Sequence, residues 1–133
     1  MTPETRVKKK VMKLLSDVGA YAVPQIMTGY GRAGVPDILA CVSGKFFAIE
    51  CKATDKERLT APQAMNLSRA RVAGATAVVV CDCNFKDFDS MIKNFVLHGG
   101  TNLAYQLLYS FTSDKIQQAL DAAKVTAESP EFN

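Results

Sequence analysis

Gly34-Val35-Pro36-Asp37-Ile38 and, after a tight turn, Ala48-Ile49-Glu50-Cys51-Lys52 are the segments that decide how this chain is read. Asp37 to Val42 and Lys45 to Lys52 are apolar, β-prone runs on either side of Ser43-Gly44, the pattern of a β-hairpin. Side chains alternate along a strand, so Glu50 and Lys52 share one face while Ile49 and Cys51 take the other. Asp37 opens the partner strand, where pairing brings its carboxylate beside Glu50. Phe46, Phe47, Ala48 and Ile49 lead directly into Glu50, which suits a central strand. An uncompensated carboxylate there is expensive.

The flanking segments read as a layered α/β arrangement. Thr2 can cap a first helix with Pro3 at its first position and Glu4 in its first turn. Val7, Val11, Leu14, Leu15 and Val18 recur at helical spacing, and Gly19 ends the element. Ala20 to Gln25 is a short strand, and Thr28 to Pro36 is a loop holding Gly29, Gly31 and Gly34. After a polar loop from Thr54 to Leu59, Thr60-Ala61-Pro62-Gln63 opens a helix running to about Ala73. Thr76 to Cys81 is almost wholly apolar and β-branched, as expected of an interior strand in a mixed sheet. A helix to about Leu97 follows Asp82-Cys83-Asn84. Beyond the turn at His98 to Asn102, Leu103 to Phe111 suits helix or strand, Ser113 to Lys124 an amphipathic helix, and Val125 to Asn133 a frayed tail. The order α-β-β-β-α-β-α implies a mixed sheet with helices on both faces.

Bulk properties set the outer bounds. The chain has 133 residues, 48% hydrophobic and 22% charged, the size and composition of one ordinary globular domain. The longest apolar run, Gly74 to Cys81, is too short to cross a bilayer. The charged opening is unlike a secretory signal. A net charge of +3 permits an anionic partner without requiring one. Arg6, Lys8, Lys9, Lys10 and Lys13 crowd the first helix. None of Cys41, Cys51, Cys81 and Cys83 pairs with another at zinc-knuckle spacing, so all are expected to be free thiols in a reducing cytosol. His98 reads as a surface or turn residue.

Two carboxylates and an ammonium on one strand face suit phosphodiester hydrolysis, which must neutralise a dianionic transition state and activate a water. Paired acids hold Mg²⁺, a hard cation that keeps several waters. A lysine orients the water or carries charge on a phosphate oxygen. The plainer alternatives are a solvated Glu-Lys ion pair and a turn aspartate after proline.

The ordered set resembles the PD-(D/E)XK nuclease superfamily and, more closely, stand-alone VRR-NUC domains of phage and bacterial genomes. The resemblance rests on Glu4, Tyr30-Gly31-Arg32-Ala33-Gly34, Pro36-Asp37, Phe47 to Lys52, Leu59-Thr60-Ala61-Pro62-Gln63 and Gly74-Ala75. It implies a restriction-endonuclease-like core over about residues 2–97, with 98–133 as a C-terminal helical extension of the same domain. It implies Asp37 and Glu50 as metal-binding acids, the Cys51 backbone carbonyl as a further ligand, and Lys52 as the catalytic lysine. Glu4 matches an acid on the first helix that reaches the metal directly or through water. Gln63 matches a glutamine facing the site. The expected activity is that of a Mg²⁺- or Mn²⁺-dependent DNA endonuclease, acting in the cytoplasm as a homodimer on branched DNA such as four-way junctions. The alternative is an inactive nucleic-acid-binding or scaffold protein.

Several of these residues have second readings. Glu4 lies on the apolar stripe of its helix, yet a first-turn acid also serves the helix dipole. Thr60-x-x-Gln63 is itself a capping box. Among the loop glycines, Arg32 suits a phosphate and Tyr30 a base, or the loop is a plain connection. Lys9 and Lys13 either track a DNA backbone or belong to a solvated helix face.

Overall fold

The computed structural model describes residues 1–25 and 33–127, the side chains of 125–127 excepted. Its organising element is the hairpin of β2 (Ile38–Val42) and β3 (Lys45–Cys51). Ser43 and Gly44 join the strands with positive φ of 47° and 84°, the left-handed pair that a two-residue hairpin turn of matching twist requires. Ile38 pairs with Ile49, so Asp37, one residue earlier, falls opposite Glu50.

β1 (Tyr21–Pro24) runs antiparallel to β2, and β4 (Thr76–Val80) parallel to β3, giving the order β1-β2-β3-β4. β3 therefore has a neighbour on each side, as its apolar run led one to expect. Helices cover both faces. α1 (Pro3–Asp17) is capped by the Thr2 hydroxyl, which accepts from the Thr5 amide at 3.1 Å. Its Val7, Val11, Leu14 and Leu15 pack with Ile38, Ala40, Val42, Phe47 and Ile49, together with Phe88, Met91 and Ile92 of α3 (Phe85–His98). On the opposite face, Ala64 and Leu67 of α2 (Ala61–Val72) meet Ala48, Ala77 and Val79, together with Ile116 and Ala119 of α4 (Leu103–Ala127). Glu50 and Lys52 project on this second side, toward the start of α2.

Three expectations are revised. The segment Leu103 to Lys124 is one continuous helix, and residues 125–127 belong to it rather than to a tail. Cys81 and Cys83 are not independent thiols. The chain turns at Asp82–Asn84 and pairs their sulfurs, with Cα atoms 5.1 Å apart, whereas Cys41 and Cys51 are free. Most consequential is β4, which is buried along its whole length yet stands at the edge of the sheet.

Side chains replace the missing neighbour. Thr112 of α4 accepts from the Val79 amide at 2.9 Å, and Asn84 donates to the Val79 carbonyl at 3.0 Å. Arg71 donates to the carbonyls of Ala77 (3.4 Å) and Tyr109 (3.1 Å) while lying over the Tyr109 ring. Covering an exposed edge with a helix is one way a sheet avoids pairing with another chain. Because α4 crosses this edge, its Ala104 and Leu108 join the α1–α3 core and its Ile116 and Ala119 the α2 core. Thr112 is fully buried, so Thr112→Val leaves the Val79 amide without a partner. The variant should lose about 1–3 kcal/mol of stability, read as a lower urea midpoint with an unchanged slope.

Candidate active site

The strand ends and the start of α2 bring the polar residues together. Glu50 is 1% exposed in the middle of the sheet. Among the described residues no donor reaches its Oε2, its Oε1 receives only a long 3.4 Å contact from Gln63 Nε2, and its protonated form hydrogen-bonds with Asp37. Burial above all, and then the nearby Asp37 carboxylate, push its pKa up to about 9, against an opposing pull from Lys52. Metal-free, this carboxyl holds a proton at neutral pH.

Asp37 is fixed by the strand it faces. Its Oδ2 accepts from the Cys51 amide at 2.8 Å, a donor left free because β2 ends before reaching it. The N–H and C=O of one strand residue leave by the same edge, so the Cys51 carbonyl also points to the Asp37 side. Burial and the surrounding carboxylates push the Cys51 thiol well up, leaving it an inert apolar filler.

Lys52 and Gln63 form the other wall. Lys52 is 7% exposed, and its Nζ donates to Gln63 Oε1 at 3.1 Å. The same oxygen accepts from the Thr60 amide at 2.9 Å, while Thr60 Oγ1 accepts from the Gln63 amide at 3.2 Å. The capping box and the contacts to Lys52 and Glu50 therefore coexist in one side chain: the cap fixes Gln63 in the rotamer that reaches the strand. Gly34 sets where that helix begins. At φ +79° a Cβ would meet the Pro62 carbonyl carbon at 2.4 Å and the Gln63 nitrogen at 2.6 Å. Asn66 strengthens the contact by donating to the carbonyls of Ala33 and Pro62.

Glu4 approaches from α1 and is 38% exposed at its side chain. Between it and Asp37 stands Lys8, whose Nζ lies 3.4 Å from Asp37 Oδ1 and 3.8 Å from Glu4 Oε1. Partial burial lowers the Lys8 pKa, but Asp37 and then Glu4 outweigh it and leave it raised. Sequence reasoning missed Lys8, although a signal existed: four residues after Glu4, it occupies the same helix face.

Not every expected residue joins this group. Lys13 pairs with Asp17 at 2.8 Å, beside a groove lined by Lys10, Phe85 and Lys93. Lys9 is exposed at the rim of a cavity of about 270 Å³ that Asp37, Lys8 and Gln25 also line. Tyr30 and Arg32 lie outside the described residues.

One solved structure shares this fold. A VRR_NUC domain superposes with a TM-score of 0.59 at 27% identity, covering 71% of this chain and 99% of that one. In its fold the chain is similar to that VRR_NUC domain. The archaeal Holliday junction resolvase Hjc of Archaeoglobus fulgidus aligns more loosely, with a TM-score of 0.46 at 29% identity over 56% of this chain and 64% of that one. No family model matches the sequence, and no curated protein is significantly similar to it. The VRR-NUC-like core is the restriction-endonuclease-like arrangement expected, with α4 as the C-terminal helix beyond the expected core.

The pKa of Glu50 makes stability depend on pH. Because burial raises it, the folded chain binds a proton that the unfolded chain releases near the ordinary carboxylate range. The contribution of Glu50 to stability is thus fully present below about pH 4.5 and is lost as pH rises toward about 9. The slope cannot exceed about 1.4 kcal/mol per pH unit. In EDTA, Glu50→Gln should flatten this decline and exceed the parent in urea midpoint at pH 8. Parallel pH profiles for the two proteins would contradict it.

Proposed function

We propose that this chain is a divalent-metal-dependent DNA endonuclease, Mg²⁺ or Mn²⁺ being its cofactor. The observation that carries the reading is Glu50: a buried carboxylate with an unpartnered oxygen, facing a second carboxylate that raises its pKa. Such a pair is unfavourable alone and is relieved by a cation. Among the described residues, no three His, Cys, Asp or Glu side chains cluster as a metal cage. Two carboxylates with the Cys51 carbonyl and waters match a hard cation that retains part of its hydration. In this reading Asp37, Glu50 and the Cys51 carbonyl are the ligands, and Glu4 holds an outer water. When bound, the cation stabilises charge on the phosphate and acidifies a water.

The remaining work falls to the chain's own side chains. Lys52 presents its ammonium beside the carboxylates, positioned to orient the attacking water and to balance charge on a phosphate oxygen. Gln63 holds that ammonium through Oε1 and steadies Glu50 through Nε2. Lys8 and Lys9 give a cationic approach for the phosphate backbone, and Arg32 and Tyr30 of the glycine loop, which lie outside the described residues, are assigned to a phosphate and a base from their sequence position alone. Water attacks in line in one step, without a covalent enzyme intermediate. Branched DNA, including four-way junctions, is the proposed substrate, by resemblance to VRR-NUC proteins.

With Mg²⁺ or Mn²⁺ the protein should cleave labelled junction, flap or linear DNA, and EDTA should stop it. Asp37→Ala and Lys52→Ala should each lower the rate by at least about 100-fold, while Lys13→Ala should change it little. Binding without cleavage in every metal would make this a non-enzymatic DNA-binding protein.

A homodimer completes the reading, because cutting two strands needs two sites related by symmetry. A surface is available for it. α2 and α4 cover the β4 side of their sheet face, while Tyr21 of β1, Cys41 of β2 and Phe46 near the start of β3 form an exposed cross-strand row. Light scattering should give twice the chain mass, reduced to the monomer by Phe46→Asp. A concentration-independent monomer in the parent protein would remove the dimer.

A further inference from the structure

α4 follows the expected nuclease core, and one of its residues reaches back toward the site. Lys115 is 9% exposed, and among the described residues its ammonium meets no carboxylate. It donates instead to the backbone carbonyls of Asp55 and Glu57, the latter at 2.9 Å, with the Phe111 ring 5.7 Å away. Burying a cation without a counter-ion is unfavourable unless its donors are fully used. If the position only filled space, an apolar side chain of similar length would serve at less expense.

What Lys115 grips is the segment between Lys52 and Thr60. This loop leaves the sheet at Lys52 and returns at the cap of α2, whose Gln63 holds the Lys52 ammonium. It is tightened internally where Glu57 Oε1 accepts from the Ala53 amide at 2.9 Å. At its far end Leu59 is buried in the cluster containing Ile116 and Ala119. The loop is thus anchored from α4 at two places, by an ammonium at its middle and by apolar packing at its end. Among the described residues, no other hydrogen bond of the loop reaches beyond it until Thr60.

We propose that Lys115 is a positioning residue for the reaction. By binding the Asp55 and Glu57 carbonyls it holds the 53–59 loop so that Lys52 and Gln63 keep their mutual geometry. The proposal rests on the nuclease reading and assigns the C-terminal helix a part in catalysis without contact with substrate. Positional errors near 1 Å in a catalytic group lower rates by about 100-fold, so a loosened loop acts on turnover more than on DNA affinity.

The test compares the parent protein with Lys115→Met under conditions where both are folded, by junction cleavage in Mg²⁺ and by amide hydrogen exchange. Lys115→Met should reduce kcat about 10- to 100-fold with KM within about twofold, and the Ala53 amide should exchange faster. An unchanged kcat overturns the proposal, even if the melting temperature falls, since that is a structural role alone. A reduced kcat with unaltered exchange in the loop overturns it too. Should Lys115→Met not fold, Lys115→Gln, which retains a donor, carries the same comparison. A parent protein that cleaves nothing in any metal refutes the nuclease reading itself, and this proposal with it. Cleavage by the parent that Lys115→Met leaves intact refutes only the role of Lys115.

Discussion

Glu50 sits where water cannot solvate it, and the sheet provides no donor for one of its oxygens. A buried carboxylate in that position must take a proton or find positive charge. The residues around it are arranged to leave both options open. Asp37 adds negative charge from the opposing strand, Lys52 opposes it from two residues along, and Gln63 bridges Lys52 and Glu50. The cost of ionising Glu50 beside Asp37, which a cation would offset, is the physical basis for reading the site as metal-binding. It also explains why a chain of ordinary composition carries such a strained group in its core.

Holding that constellation draws on the whole fold. The hairpin turn at Ser43 and Gly44 sets the register that puts Asp37 opposite Glu50. The early end of β2 frees the Cys51 amide to fix the Asp37 carboxylate. Gly34 lets the preceding segment lie against the first turn of α2, and the Thr60 cap then aims Gln63 at the strand. Each piece is local. Their convergence comes from pairing and packing among segments distant in sequence.

α4 illustrates how remote parts become involved. It crosses the exposed edge of β4, where Thr112 occupies the Val79 amide, and continues over the second sheet face to the loop beside Lys52. The edge of the sheet and the rim of the site thus share one support. A substitution in this helix affects the sheet and the loop through different residues, Thr112 and Lys115, so the two effects are separable.

The hairpin, α1, the capped α2 and the shared face of Glu50 and Lys52 were legible in the sequence. Strand alternation, helical periodicity and turn chemistry are local rules that act within a few residues. The pairing of Asp37 with Glu50 also followed, because a two-residue turn leaves one register. The position of β4 did not. An all-apolar strand signals burial on both faces, but burial does not distinguish a strand neighbour from a helix laid along its edge. Lys8 was unexpected because its partner Asp37 is separated from it in the chain by the rest of α1, by β1 and by the segment that follows. Lys115 was silent for a related reason: its acceptors are backbone carbonyls, which every residue carries and no sequence pattern marks. Sequence alone determined the local elements and the chemical groups available to the site. Tertiary structure decided which of those groups meet, because long-range contacts depend on the relative placement of whole elements.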